Sequence, residues 1–218
     1  MADCSRSLTV SLFLLSAIAA PAQQSAPIVQ PGAPGQPGRF LTEATVRIPP
    51  RPPFKADVEF MQGMIMHHSQ AVDMVALLRT RGKSPVLKSF GEKISISQTD
   101  EIGFMKRWLE SFGKPTTMEM DHTHMSAADM KNMNMLMPGM LTPQQMSDLT
   151  KARGAQFDHL FLTGMIQHHG GALTMVEDLF NTPGAGQDPV LFDFATDIVS
   201  TQSAEIKIMR GMLDKEKK

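Results

Sequence analysis

One cysteine, one tryptophan and no tyrosine stand among 218 residues, and neither sign of charge is in excess. A lone thiol excludes both an intramolecular disulfide and a cysteine-based zinc site. With 21 Lys and Arg against 22 Asp and Glu the formal net charge is -1. No basic stripe interleaves with aromatic residues, so nucleic acid is not an expected partner. What the chain has in excess is methionine, 19 residues against 12 phenylalanines. Redox or metal chemistry here would have to run on methionine, histidine and carboxylates.

The apolar run from Leu8 to Ala20 follows Arg6 and ends in small residues around Pro21. It is shorter than the roughly 20 residues of a membrane anchor and has the form of a secretory signal, cleaved after Ala20 or Ala22. Residues 1–22 are therefore expected to be removed, and Cys4 with them. That predicts a periplasmic or secreted protein without thiols and without a membrane attachment, in an oxidising compartment. Residues 23–53 are rich in Pro, Gly and Gln and read as a flexible linker.

From 54 onward the periodicity is helical. One pattern runs from Phe54 to about Thr80, is broken at RGKSP, and is followed by a second from Val86 to Phe112. A polar, Met-studded connector occupies 113–141. Thr142, Pro143 and Gln145 then have the form of an N-cap, a first-turn proline and a capping-box glutamine. Helical pattern continues to Phe180, interrupted at most locally near Gly154, and a last helix spans Val190 to Leu213.

These helices repeat. DVEFMQGMIMHHSQAVDMV, from Asp57, aligns without gaps to DHLFLTGMIQHHGGALTMV, from Asp158, at a constant offset of 101 positions. The following helices align as well, Gln98 with Gln202, Glu101 with Glu205 and Met105 with Met209. Two hairpins, 54–112 and 142–214, each with one apolar stripe, can bury those stripes only against each other. The expected fold is all-α, an antiparallel four-helix bundle built from two repeated hairpins.

At about 100° per residue, Asp57, Met61, Met64, Ile65, His68, Ala71, Val72, Val75 and Leu78 point inward, with His67 at the rim. The second copy places Asp158, Met165, Ile166, His169, Ala172, Leu173 and Val176 inside and His168 at the rim. Glu101 shares a stripe with Phe90, Ile94, Met105 and Trp108, and Glu205 shares one with Phe194, Ile198 and Met209. Imidazoles and carboxylates on apolar stripes need partners. A His to Glu hydrogen bond stapling each hairpin is one answer. The other is a metal site, because the duplication brings two His, two Glu and two Met toward the middle of one bundle, with Asp57 and Asp158 toward an end, and facing helices are where bundles hold metals. Met64 precedes His68, and Met165 precedes His169, by one helical turn, so each helix offers a thioether beside an imidazole. Gly170 and Gly171, costly inside a helix, are expected to mark close approach or access to a site.

The connector carries eight methionines between Met118 and Met140, among them Met118, Met120 and Met125, with His122 and His124 in MDHTHM. Thioethers are soft, uncharged ligands that select Cu(I) or Ag(I), and imidazole suits both copper states. The expected ligands are thus His67, His68, His168, His169, Met64, Met165, Glu101, Glu205, Asp57 and Asp158 in the bundle, with the connector residues as a capturing site. Iron or manganese is the rival, but the di-iron bundle pattern takes Glu-x-x-His from two of its helices, and the four helical patterns here lack it.

The paired motifs GMIMHHSQAVDMV and GMIQHHGGALTMV, with MPGMLTPQQMSDL leading into the second, closely resemble the bacterial exported family catalogued as domain of unknown function 305. The resemblance covers roughly Asp57 to Leu213. It implies a ferritin-like four-helix bundle, metal binding through Met64, His67, His68, Met165, His168 and His169, and membership of a family that includes periplasmic copper-binding proteins. It implies no defined enzymatic activity. The expectation is a non-enzymatic exported protein that sequesters or transfers copper, as Cu(I) with Cu(II) and Ag(I) also in range, in metal tolerance or homeostasis. Its expected partners are the ion and other periplasmic copper-handling proteins.

Overall fold

The computed structural model describes residues 28–32, 34–41, 51–118 and 136–216. The expected signal segment and the connector residues Met120, His122, His124 and Met125 lie outside them. The chain divides into two compact units, 1–50 and 51–218.

In the first unit, β1 (Ile28–Gln30) pairs antiparallel with β2 (Arg39–Leu41), Val29 opposite Phe40. Gly35, at φ 84°, sits in the intervening turn, where a side chain would be strained. A stretch expected to be plain linker therefore contains a ribbon, though two strands alone are marginally stable in water.

The second unit holds helices α1 (Lys55–Arg81), α2 (Pro85–Ser111), α3 (Pro143–Lys151), α4 (Gly154–Asn181) and α5 (Pro189–Glu216). Two of their starts are capped by local side chains. The Ser84 hydroxyl accepts the Leu87 N–H ahead of α2, with Pro85 at the first position. At α3, Thr142 accepts from Gln145 N while the Gln145 side chain accepts from Thr142 N. Extended backbone at Ala152 and Arg153 separates α3 from α4, so the interruption expected near Gly154 divides one pattern into two helices.

α1 packs against α2 and α4, and α4 against α5. A Cβ on Gly63 would approach Met175, and one on Gly164 would approach Met74, so the sequence order along α4 runs opposite to that along α1. The repeats thus meet through antiparallel α1 and α4, and the connector between them is the long crossover of a ferritin-like bundle. The buried apolar side chains form two clusters. One contains Met61, Met64, Met105, Trp108, Val176 and Phe194, the other Val75, Leu78, Ile94, Phe161, Met165 and Met209. Residues 67–68, 98–101, 168–169 and 202–205 fall between them in the sequences of the four long helices, so a polar layer divides the core at mid-bundle.

Candidate metal centre

All four imidazoles of that layer are completely buried. His67 and His168, expected at the rim, are as inaccessible as His68 and His169, whereas Val72 and Leu173, expected inside, are only half-buried. The reason is that α1 has two packed neighbours, α2 and α4, and the end of the connector as well. A calculation assuming a single inward direction centres the buried arc too far toward α2.

Each histidine is held by one nitrogen. His68 Nε2 donates to Glu101 Oε2 at 2.6 Å, and His169 Nε2 to Glu205 Oε2 at 2.6 Å. The other Glu101 oxygen accepts the Ser97 hydroxyl at 2.9 Å. His67 Nε2 donates to the Pro138 carbonyl at 3.0 Å, and His168 Nε2 to the His67 carbonyl at 2.8 Å. The rings of His67 and His168 lie with centroids 3.7 Å apart. Here the pseudo-symmetry breaks, because the connector supplies the acceptor for His67 that the opposite helix supplies for His168.

The remaining ring nitrogen, Nδ1, has no partner in any of the four. A carbonyl oxygen can only accept, so Nε2 carries the hydrogen in His67 and His168. Burial pushes the His67 pKa down from 6.5 to about 3, assisted by His68, and takes His168 well below 6.5, assisted by His67. Both rings are therefore neutral at neutral pH, with a bare lone pair on Nδ1. In the same layer, the amides of Gln98 and Gln202 are buried with neither nitrogen nor oxygen partnered. Unsatisfied polar atoms at this density are rare in a native interior, and they are what an ion or ordered water would satisfy.

Met64 and Met165 are fully buried one turn before His68 and His169, in opposite apolar clusters, so each flanks the layer from its own side. Among the described residues no three His, Cys, Asp or Glu side chains converge closely enough to enclose an ion. A bundle site would therefore combine imidazole Nδ1 with thioether sulfur, the carboxylates orienting the rings from behind, a common arrangement around metal-bound histidine. A cleft of about 460 Å³ between α2 and α5, lined by Asp100, Glu101, Asp193 and Asp197 among others, opens onto Glu101, whose side chain keeps 21% of its exposure. An acidic mouth of this kind concentrates cations.

Asp57 and Asp158 are buried as expected but belong elsewhere. Each stands eleven residues before its histidine, about 16 Å along a helix, too far to share an ion. Asp57 accepts the N–H of Gly186 at 2.7 Å and of Phe54 at 3.1 Å. Asp158 accepts those of Lys83 at 2.9 Å and Ser84 at 2.8 Å. Each ties the start of its own helix to the turn of the other hairpin. The periodicity found the direction of these side chains, but it carries no information on which backbone N–H they meet.

Three glutamine and histidine latches were not foreseen. Gln62 Nε2 donates to Pro115 O at 2.8 Å, His67 to Pro138 O, and Gln70 exchanges two bonds with the backbone of Leu141. They clip both ends of the connector to α1. Gly171 admits the second of those ends, since a Cβ there would lie 1.8 Å from Pro138 O. Gly170 faces open space.

Residues 57–213 match the family described as Domain of unknown function (DUF305). The chain belongs to that family. Among solved structures it is similar to a DUF305 protein of Streptomyces coelicolor described as secreted, 29% identical with TM-score 0.60, covering 73% of this chain and 93% of that one. It is also similar to CopM in a Cu(I)-bound form, 27% identical with TM-score 0.55, over 73% of this chain and 96% of CopM. CopM has been solved in Cu(II)-bound and Ag-bound forms too. A curated relative, Uncharacterized protein L153 of Acanthamoeba polyphaga mimivirus, is 40% identical over 60 residues, and the match spans 38% of its length. The fold is that of DUF305 helical proteins, and structural relatives of this chain bind copper and silver. No helix among the described residues is long and apolar enough to cross a membrane.

Proposed function

We propose that this DUF305 protein is an exported copper-binding protein, not an enzyme, that sequesters Cu(I) or passes it to other exported copper-handling proteins. The observation that carries the reading is the set of four buried imidazoles, each anchored through Nε2 and each with Nδ1 unpartnered. Neutral nitrogen beside thioether suits Cu(I) and its mimic Ag(I), and nitrogen alone suits Cu(II). Hard ions such as Fe(II) or Mn(II) want oxygen ligands, and here the two glutamates are already bonded to histidines. The copper- and silver-bound forms of CopM support the same class of cargo. A structural bundle is the second reading, and the two short His to Glu bonds favour it.

The test is an anaerobic Cu(I) titration against a competing chelator, with Fe(II) and Zn(II) in parallel. Cu(I) is expected to bind tightest, and the double substitution His68→Ala with His169→Ala to weaken the bundle site at least 100-fold while the connector is untouched. Affinity no higher than that of a methionine-free control would sink the proposal. A folded double variant that binds as the wild type does would return the bundle to a structural role.

A further inference from the structure

The duplication also makes two equivalent grooves that are filled differently. Gly63 and Gly164 occupy corresponding positions in α1 and α4, both buried, and each leaves a notch in its helix. At Gly164 the notch is filled by apolar carbon. A Cβ there would meet Leu141 Cδ2 at 3.0 Å and Cδ1 at 3.5 Å, with Met74 Cε at 3.3 Å. At Gly63 the corresponding methionine, Met175, brings its Cε to 3.4 Å of the same virtual atom, and two more methionines join it, Met137 with Sδ at 3.3 Å and Met118 with Cε at 3.4 Å. Three thioether tips from three segments thus meet at one point. Packing alone explains neither the number nor the choice, since leucine closes the twin groove.

The backbone around this point is fixed from α1. Gln62 holds Pro115, three residues before Met118, and His67 holds Pro138, next to Met137. The glycine keeps the groove deep, although glycine is less favourable than alanine inside a helix.

We propose that Met118, Met137 and Met175, gathered over Gly63, form a three-thioether site for a soft monovalent cation, Cu(I) or Ag(I). Three neutral sulfurs match such an ion and reject Zn(II) and the hard divalent ions. Because thioethers do not titrate, the affinity of the site does not fall with pH through protonation of its ligands. An ion bound there joins both ends of the connector to α4, one turn along α1 from His67. The proposal rests on the soft-metal reading above but concerns a site separate from the imidazole layer.

The test is titration of the full chain, carrying ¹³C-labelled methionine methyl groups, with silver nitrate followed by NMR. The expected result is that the methyl signals of Met118, Met137 and Met175 shift together and saturate at one equivalent, while the core residues Met61, Met105 and Met209 stay in place. Methyl signals of all three that do not move up to saturation overturn the site. If those of Met64 and Met165 move in that experiment, the bundle reading stands without it, and if no methionine moves at all, both fall. Replacement of the three by leucine, which imitates the twin groove, is expected to remove one bound equivalent. Should that variant not fold, Met175→Leu alone is expected to weaken Ag(I) binding tenfold or more, and an unchanged affinity overturns the site.

Discussion

The aspartates at the ends of the bundle and the histidines at its middle are alike in three respects: they are duplicated, buried and polar. They differ in how far the fold satisfies them. Each carboxylate oxygen of Asp57 and Asp158 accepts one backbone N–H. Each imidazole at the centre is bonded once and leaves Nδ1 bare. An unsatisfied buried polar atom destabilises a fold by about 1–3 kcal/mol. At the ends the polar group joins the two hairpins, and at the centre the same duplication leaves donor atoms over. The difference separates residues that build the bundle from residues available to a ligand.

The largest effect expected from this contrast is on stability, at an end. Asp158→Ala removes two charge-assisted bonds and leaves the N–H groups of Lys83 and Ser84 without their acceptor, for a loss of about 3 kcal/mol in urea unfolding. Its Cu(I) affinity should stay within threefold of the wild type. A folded Asp158→Ala protein that no longer binds metal would erase the distinction between end and centre.

Acid acts on the centre. With its pKa at about 3 in the fold and 6.5 in the unfolded chain, His67 binds fewer protons folded than unfolded between those values. Stability of the metal-free protein is therefore complete above about pH 6.5 and declines as pH falls toward 3. At 1.36 kcal/mol per unit, His67 alone removes about 2 kcal/mol by pH 5, and His168 acts in the same direction. Urea midpoints at pH 7 and pH 5 measure it, and His67→Gln should flatten the slope. A midpoint that does not fall between those pH values would mean that the rings are not held neutral.

The architecture was legible because it is written twice. The offset of 101 and the apolar period define the four long helices, and Thr142, Pro143 and Gln145 mark the start of α3. The imidazole and glutamate pairs were legible as well, since His68 and Glu101 lie on facing stripes. What escaped depended on a third neighbour. His67 and His168 fell at the rim of a stripe drawn for one partner, yet α4 and Pro138 close over His67, and α1 over His168. Asp57 and Asp158 were placed inward and toward an end, but the backbone N–H groups they bond lie in turns that no periodicity locates. The meeting of Met118 and Met137 with Met175 joins segments far apart in the chain, and only the crossover path brings them to Gly63.

A smaller effect is expected where the centre meets its support. Glu101→Gln keeps the shape of the side chain but removes the charge that faces His68 Nε2 at 2.6 Å. Partners behind a metal-bound histidine typically contribute 10–100-fold to affinity, and about tenfold is expected here for Cu(I), with Tm nearly unchanged. If Tm falls steeply while affinity holds, the His to Glu pair is a staple of the hairpin and belongs with the aspartates.

The finest division runs between two adjacent glycines. Gly171 must stay bare because Pro138 O lies where its Cβ would go, and Pro138 O is also the acceptor that holds His67. Gly170 has neither constraint, since a Cβ there meets nothing within 4 Å and its φ is negative. Gly170→Ala should therefore stabilise the metal-free protein by up to about 1 kcal/mol, with copper affinity unaltered, while Gly171→Ala destabilises it. Opposite signs at neighbouring positions would show that the connector closes the centre through contact at Gly171. Equal signs would place the demand for glycine in the flexibility of α4 itself, and the centre would then be open to change by loosening that helix.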